Sequence, residues 1–238
     1  LFAPLRMSSQ PRSRRQRRGR IALATDLSGK WESYRVFIAP VNWRFRSGDR
    51  LELNANPTGE RLMEPFEIAD GVVIPTGAYS WMRYRVEVGT AQKRRLYAQV
   101  AWWFGGFYDG SLDQLVWPGA WNPTPLLTLE FSGERNIGTL AAGRFTQTLV
   151  GTRLRVNLSP DLSLASYVQY DTVSDSIGVN TRLRWTVLPV ADLFVVYNHN
   201  VRSLLDRWQL DSNQLLVKFQ YFSGGCNRQK SSGLSDTV

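Results

Sequence analysis

The 238-residue sequence has little of three features that often define a protein's class: cysteine, histidine and long apolar runs. Its single cysteine, Cys226, excludes an intramolecular disulfide. With one histidine, His199, and one cysteine, the chain lacks the ligands of a transition-metal site, so we expect no metal and no cofactor. No window approaches the ~18 consecutive apolar residues of a membrane-spanning helix. A transmembrane helix is therefore excluded, whereas a transmembrane β-barrel, whose strands are short and half apolar, is not.

Positive charge is concentrated at the N-terminus. The net charge is +9, but residues 1–20 contain seven arginines and no acidic residue, so removing these seven charges leaves +2. This segment has no apolar periodicity, and we expect residues 1–30 to be a disordered basic arm or a truncated upstream segment. A role in binding nucleic acid or anionic lipid is the alternative for the arm, although we expect no nucleic-acid partner.

From Tyr34 onward, apolar and polar residues alternate with a period of two, which is typical of β-strands. The alternation indicates a β-barrel domain over residues 31–222 and a disordered tail over residues 223–238. Several predicted strands have the ten to twelve residues that a tilted strand needs to cross a bilayer. Eleven strands are predicted, at residues 33–45, 50–56, 78–89, 94–105, 111–117, 125–133, 145–158, 162–173, 177–188, 192–198 and 211–222.

The connections between these strands alternate between short and long. Tight turns have the sequences RSGD, GTAQK, NPTP, SPD and LPVA, and longer loops are predicted at residues 57–77, 134–144 and 199–210. Outer-membrane barrels have short periplasmic turns and longer external loops. The order of short and long connections therefore favours this type of barrel.

Large apolar residues and arginines fall on opposite faces of the predicted strands. Leu183 and Trp185, for example, alternate with Arg182 and Arg184. A soluble sheet buries its apolar face, whereas a membrane barrel turns that face to lipid and the polar face to its lumen. The candidate lumen-lining residues are seven cations, Arg83, Arg85, Arg153, Arg155, Arg182, Arg184 and Lys218.

Two roles remain open for these seven cations. A basic wall in an open barrel would favour anionic solutes. Alternatively, the cations form ion pairs and hydrogen bonds with other strands or with a plug.

Aromatic residues cluster near the ends of the predicted strands, as in the interfacial girdles of membrane barrels. They are Trp43, Phe45, Trp102, Trp103, Phe104, Trp117, Trp121, Tyr170, Trp185 and Tyr197. The last strand ends in Phe219, Tyr221 and Phe222, which resembles the C-terminal signal that barrel-assembly machinery reads. We therefore predict an all-β fold, an antiparallel up-and-down transmembrane β-barrel, with outer-membrane lipid, lipopolysaccharide and the barrel-assembly machinery as partners.

Several segments resemble the barrel of one bacterial family. RLRWTVLPVADLFVVYN (residues 182–198) is similar to that family's NLRxRWxxxPGSDLFxVYN signature, and VQYDTVSDSIGVNTRLRW (residues 168–185) to its LQYNxxSDxLSLNxRxRW. Residues 36–53, 65–79 and 107–131 follow its pattern as well. The family is domain-of-unknown-function 5916, the C-terminal outer-membrane barrel of carbohydrate-binding family 9 domain-containing proteins.

The resemblance covers about residues 31–222 and implies an outer-membrane barrel with a carbohydrate-related role. Three departures accompany it. Pro189-Val190-Ala191 stands where the family has Pro-Gly, the chain continues past Phe222, and the family's N-terminal sugar-binding-like module is absent.

Eleven is an odd number of strands, whereas single-chain bacterial barrels close with an even number. We therefore expect the chain to be the C-terminal portion of a larger barrel, with about 10–12 of the strands present. A miscount by one strand, within residues 57–77, is the alternative.

The sequence contains no convincing catalytic arrangement. His199 lies in the predicted loop 199–210 together with Ser203, with no nucleophile elbow around that serine. Carboxylates also occur in pairs, and for Asp109, Asp171 and Asp175, which fall at predicted external turns, turn chemistry is the expected role and contact with divalent cations or lipopolysaccharide is the alternative. These pairs are Glu64 and Glu67, Asp109 and Asp113, and Asp171 and Asp175.

We therefore expect no catalytic residues and a non-enzymatic protein of the bacterial outer membrane, whose export signal lay upstream of residue 1. The expected function is passage or reception of a small-molecule solute, which the resemblance suggests is carbohydrate-related. The alternatives are an outer-membrane barrel hydrolase and a soluble β-sandwich binding module.

Overall fold

The computed structural model describes residues 18–25, 29–204 and 207–221, nearly all of them in strands or in the turns between strands. Within these residues there is no helix of the length and apolarity needed to cross a membrane. The strands are β1 (Arg18–Thr25), β2 (Trp31–Arg44), β3 (Arg50–Leu62), β4 (Phe66–Ala69), β5 (Val72–Ile74), β6 (Gly77–Gly89), β7 (Leu96–Phe107), β8 (Gly110–Val116), β9 (Gly119–Thr124), β10 (Leu127–Leu140), β11 (Gly143–Ser159), β12 (Leu162–Asp171), β13 (Ser176–Leu188), β14 (Ala191–Leu204) and β15 (Arg207–Tyr221).

Thirteen of these strands form one antiparallel sheet, and β4 and β5 form a separate hairpin. Neighbours in the sheet follow chain order, β1-β2-β3-β6-β7-β8-β10-β11-β12-β13-β14-β15, and β9 pairs with β7 and β10. The predicted all-β class with antiparallel up-and-down strands is therefore confirmed. Among the described residues β1 pairs only with β2 and β15 only with β14, so these two strands are the edges of the sheet.

Strands β8 and β9 share one position in the sheet. Both lie between β7 and β10 and run antiparallel to them. The break falls at Trp117-Pro118, because proline lacks the N–H that a ladder hydrogen bond needs. Trp117 still donates to the Gly133 carbonyl at 2.9 Å, so the two strands continue one another. The described sheet therefore has twelve strand positions, and the odd count of eleven was wrong.

The sequence prediction missed β1, β4, β5 and β9, and of these only β1, in the segment expected to be a disordered arm, adds a position to the sheet. Residues 18–25 pair with β2, with Ile21 opposite Val36 and Leu23 opposite Tyr34. Ile21 and Leu23 are a short period-two signal that the surrounding arginines obscured. Residues 1–17 and 222–238, which include most of the expected arm and the whole expected tail, lie outside the described residues.

All three predicted long loops are largely strand, and the one predicted at 57–77 contains the end of β3 and the β4–β5 hairpin. Strand β10 continues to Leu140 and β11 begins at Gly143, so two residues replace the loop predicted at 134–144. Strand β14 continues to Leu204 and β15 begins at Arg207, within the loop predicted at 199–210. Polar residues are frequent on both faces of these extensions, which weakens the alternation, but backbone N–H and C=O groups pair whatever the side chains are.

The apolar face of the sheet has no second layer over it in the described residues. One registered row crosses six strands through Leu127, Val156, Leu164, Leu183, Val195 and Val217. Another crosses five strands through Val41, Leu53, Val86, Trp102 and Leu115. Large apolar side chains on this face remain exposed, with Trp102 at 46% and Val217 at 60%. After folding, this face therefore still exposes large apolar side chains of the kind that a soluble protein buries.

A small apolar cluster lies where the β4–β5 hairpin folds over the opposite face of the sheet. Val72 and Ile74 of the hairpin pack on Leu140 and Phe145, and all four side chains are buried. Gln147 on β11 donates to the Ile68 carbonyl at 3.3 Å, so the hairpin reaches from the β3–β6 connection to β11. Burial of these side chains fixes a hairpin that is too short to be stable alone.

At the other end of the sheet, Asp49 joins two turns. Its Oδ2 accepts hydrogen bonds from Ser47 Oγ at 2.6 Å and Arg94 Nη2 at 2.8 Å, and its Oδ1 accepts one from the Ala91 N–H at 3.0 Å. The Ser47 hydroxyl, followed by the Ala91 amide and the Arg94 guanidinium, lowers the pKa of Asp49 below its ordinary value. The turn at residues 45–49 is thereby held against the turn at residues 90–95.

Replacing Ile74 by alanine is expected to undock the β4–β5 hairpin. Ile74 is 1% exposed, and truncation of a buried isoleucine costs about 2–5 kcal/mol. Because about 1.4 kcal/mol changes an equilibrium tenfold, cleavage by a glutamate-specific protease after Glu64 or Glu67 should accelerate at least tenfold. Val73→Ala is the control, since Val73 lies in the same hairpin and is 41% exposed. Equal cleavage of the two variants would contradict this account of the hairpin.

Candidate functional site on the polar face of the sheet

Polar and charged side chains share the face opposite the apolar rows, which we name the polar face. One of its registered rows crosses six strands through Asn54, Arg85, Trp103, Gln114, Asn136 and Gln147. On β3 and β6 this face is buried, including Glu52, Asn56 and Glu87. Strand register places all seven cations identified in the sequence on the polar face. At β3 and β6 the sheet thus buries its polar side chains, while its apolar side chains remain exposed.

Four charged residues of β3 and β6 form a buried ion cluster, which consists of Arg50, Glu52, Arg85 and Glu87. The Glu52 and Glu87 side chains are only 2% and 1% exposed. Arg50 Nη1 lies 3.1 Å from Glu87 Oε1, Arg85 Nη1 lies 3.2 Å from Glu52 Oε1, and the pairs Arg50–Glu52 and Arg85–Glu87 are closer still. Asn42 donates a further hydrogen bond to Glu52 Oε2 at 2.8 Å. The Glu87 contacts are ion pairs without hydrogen-bond geometry, because neither oxygen has a hydrogen-bond donor among the described residues.

Glu130 pairs with two of the predicted cations. Arg155 Nη2 lies 3.0 Å from Glu130 Oε1, and Arg153 Nη1 lies 3.4 Å from Glu130 Oε2. The Arg153 guanidinium also stands over the Tyr167 ring, 5.1 Å from its centroid. All three charged groups are partly exposed, so these contacts position the arginines more than they stabilise the fold.

The cations nearest the C-terminal edge are also engaged. Arg182 stands 4.6 Å above the Phe194 ring, and Arg184 Nη2 lies 3.0 Å from Asp192 Oδ2. Lys218 forms no ion pair with any of the described residues. The arginines therefore supply less free positive charge to the polar face than their number suggests, which favours the ion-pair role over a continuous basic wall.

Arg83 differs from the other arginines because it is buried without a counter-ion. Its side chain is 8% exposed, and its Nη1 donates to the Leu112 carbonyl. Among the described residues it forms no ion pair, and Asp113, which favours its charged form electrostatically, lies on the opposite face. Of the seven predicted cations, the structure thus pairs Arg85, Arg153, Arg155 and Arg184 with carboxylates and leaves Arg83 buried with a carbonyl alone.

A groove of about 680 Å³ lies on the polar face between β12 and β15. Its lining includes the amides Gln169, Asn180, Asn198, Asn200 and Gln214. Asn180 donates to the Asn198 carbonyl oxygen, and Asn200 Nδ2 donates to Ser212 Oγ at 2.8 Å. In the sequence these amides alternate with apolar residues, which indicates a polar face, but strand register was needed to bring them together.

The structure corrects the expected position of His199. It lies within β14 on the apolar face, opposite Val179 and Asn213, and not in a loop. The Tyr197 hydroxyl is 3.5 Å from its Nδ1, and the two rings are stacked 6.1 Å apart. In the described part of the chain, no serine or carboxylate forms a hydrogen bond with this imidazole, so the contacts of a catalytic triad are missing there.

The carboxylates at connections serve local turn geometry. Asp171 accepts hydrogen bonds from the Val173 N–H at 2.9 Å and the Ser174 hydroxyl at 3.1 Å. Glu67 accepts one from the Gly71 N–H, at 2.9 Å, inside the β4–β5 hairpin. Over residues 18–25, 29–204 and 207–221, no three histidine, cysteine or acidic side chains are grouped as a metal site requires.

Comparison of the chain with protein-family models, with curated proteins and with solved structures finds no match. The resemblance to the domain-of-unknown-function 5916 barrels therefore stays a prediction.

Removing one carboxylate from the buried ion cluster is expected to destabilise the protein severely. Glu87→Gln leaves Arg50 and Arg85 with one anion between them, and breaking a buried ion pair costs about 3–5 kcal/mol. Glu130→Gln, the same substitution at an exposed pair, should cost no more than about 1 kcal/mol. Urea unfolding of both variants measures the difference. Equal unfolding free energies would show that the cluster is not held in a low-dielectric interior.

Proposed function

We propose that this chain forms a transmembrane β-barrel of the bacterial outer membrane and serves the passage or reception of a small solute. The observation that carries the proposal is the polarity of the sheet. Its polar face is buried around an ion cluster, while its apolar face is exposed in continuous rows across neighbouring strands. In lipid this arrangement is favourable, because the apolar side chains replace water contacts with hydrocarbon contacts.

Strand length supports the proposal. Strands β10, β11, β13 and β14 have 14, 17, 13 and 14 residues, more than the ~9–11 that a tilted strand needs to cross a bilayer. The apolar face has an aromatic residue near each end of β12. Tyr170 lies near one end, and Trp185 pairs with Leu162 at the other end, eight positions away. Eight residues span roughly 26 Å along a strand, which is comparable to the ~25 Å apolar band of such barrels.

The edges of the sheet support closure. A barrel in lipid needs every backbone N–H and C=O paired, and the described residues leave β1 and β15 as edges. Twelve alternating positions make these two edge strands antiparallel to each other, and twelve is among the even numbers with which bacterial barrels close. Pairing of β1 with β15 gives a twelve-stranded barrel, and further strands give the larger barrel expected from the resemblance.

Neither alternative has a comparable observation in its favour. A soluble β-sandwich needs a second sheet over its apolar face, and the described residues form a single large sheet with that face uncovered. A barrel hydrolase needs a nucleophile beside His199, whose ring contacts Tyr197 on the apolar face. The carbohydrate-related solute rests on the family resemblance alone.

Membrane fractionation of the full chain tests the proposal. We expect it in the outer-membrane fraction, with a band that shifts on an SDS gel between unheated and boiled samples, because a closed barrel resists SDS when cold. An outer-membrane band without the shift would support a larger barrel that these residues cannot close. A band in the soluble fraction would refute the membrane proposal.

Leu215 and Leu216 provide a matched test of which face meets lipid. They are adjacent on β15 and 65% and 52% exposed, but Leu215 pairs with Tyr197 on the apolar face and Leu216 with Val196 on the polar face. Leu215→Arg should cost about 2–4 kcal/mol of stability in lipid vesicles, and Leu216→Arg less than about 1 kcal/mol. Urea unfolding in vesicles measures both. Equal costs would mean that the two faces meet the same solvent.

A further inference from the structure

The polar face contains a second cavity, separate from the amide-lined groove between β12 and β15. It has a volume of about 360 Å³, lies between β2 and β8, and falls within the range of small-molecule sites. The β4–β5 hairpin contributes to its closure, because Phe107 and Leu112 both line the cavity and pack against the hairpin cluster. The cavity is therefore bounded by strands on its sides and by hairpin-supported residues at one end.

Two polar groups in this cavity are buried without the partners that burial normally requires. Asn56 is 2% exposed, and neither its Oδ1 nor its Nδ2 has a hydrogen-bond partner among the described residues. Arg83, directly opposite Asn56 in the register, is buried without a carboxylate, as described above. An unpaired amide and an uncompensated guanidinium are both unfavourable in an enclosed site, so each group calls for a ligand atom.

The charge of the lining identifies one part of that ligand. The ten lining residues include Arg83 and the exposed Arg35 but no carboxylate. Guanidinium groups bind carboxylates with paired, charge-assisted hydrogen bonds. An anionic group, and a carboxylate in particular, would therefore compensate the buried Arg83.

The aromatic lining of the cavity indicates the uncharged part of the ligand. Trp81 and Trp103 provide large aromatic surfaces and are themselves held, Trp81 edge-to-face on Phe107 at 5.8 Å and Trp103 beneath the Arg85 guanidinium at 5.1 Å. Gly105 lies between Trp103 and Phe107 with φ of +117°, and a side chain there would clash with the Met82 carbonyl, so the backbones of β6 and β7 approach closely beside the cavity. A pyranose ring presents an apolar face that packs on indole, and its hydroxyls both donate and accept, as the Asn56 amide does.

We propose that this cavity binds a monosaccharide that carries a carboxylate, a hexuronate being the simplest example. Arg83 and Arg35 hold the carboxylate, Asn56 exchanges hydrogen bonds with ring hydroxyls, and Trp81 and Trp103 contact the ring. Gln114 also lines the cavity, and its Nε2 donates to Glu134 at 2.7 Å. The inference rests on the proposed function, because a solute reaches the polar face only through the interior of the barrel.

Calorimetric titration of the full chain, folded in detergent, tests the ligand class with three probes. Glucuronate should bind saturably. Glucose, which lacks the carboxylate, and benzoate, which lacks the hydroxyls, should each bind at least tenfold more weakly. Absence of glucuronate binding would overturn the inference. Equal binding of glucose would overturn the role of the carboxylate, and equal binding of benzoate would overturn the sugar.

Variants locate the site. Arg83→Met and Asn56→Asp should each weaken glucuronate binding at least tenfold, the first by removing the charge and the second by placing a carboxylate against the ligand. Arg182→Met and Asn198→Asp are the matched controls, because they make the same changes on the polar face outside this cavity. The cold SDS shift shows that each variant is folded. A similar loss in a control and its partner would mean general surface electrostatics and would overturn the assignment.

Flux measurements in proteoliposomes separate this inference from the proposed function. Saturable glucuronate binding in detergent without flux would refute passage and leave the site in place. Flux of glucuronate without saturable binding, or with binding unchanged by Arg83→Met, would refute the site and leave passage in place.

Discussion

The buried ion cluster of Arg50, Glu52, Arg85 and Glu87 decides which face of β3 and β6 is buried. Glu52 and Glu87 are directly opposite in the register, and like charges at that distance repel unless cations lie between them. The two arginines that separate them lie on the same face of the same strands. The four charges are therefore compensated only together, on one face of β3 and β6. The apolar residues of the same strands must then point to the opposite face.

The β4–β5 hairpin follows from this choice of face. The polar face has little apolar surface on which a connection can pack. The exception is the end of the sheet where Leu140 and Phe145 lie on the polar face beside Val72 and Ile74. The hairpin covers these side chains and, through Phe107 and Leu112, adjoins the cavity that contains Arg83. One apolar cluster thus serves both to dock the hairpin on the sheet and to bound this cavity.

The arginines of the polar face differ from one another in burial and in their partners. Where a carboxylate or an aromatic ring lies within reach, the guanidinium is engaged and its field is reduced, as at Arg153 beside Glu130 and Arg182 above Phe194. Arg83 alone combines burial with a lack of counter-ion among the described residues. The number of cations on the polar face determines only its average electrostatic potential. A specific binding site needs a cation whose surroundings differ from those of the others, as those of Arg83 do.

Much of the fold could be predicted from the alternation of residue types. The period of two identified the strand class, and the separation of Leu183 and Trp185 from Arg182 and Arg184 identified the two faces, because side chains alternate along any strand. The alternation failed at the polar extensions of β10 and β14, and at β1, where backbone pairing continues without an apolar signal. Nothing local distinguishes Arg83 from Arg153, since each lies in an identical arginine–apolar–arginine pattern.

By itself, then, the sequence determined the secondary structure class, the antiparallel order of the strands and the residues that belong to each face. These properties depend on neighbours along the chain. Only the tertiary structure decided which carboxylates reach which arginines, where the hairpin folds, and that Asn56 and Arg83 lie buried beside Trp81 and Trp103. Those properties depend on strand register and on the burial of each side chain, which residues far apart in sequence establish together.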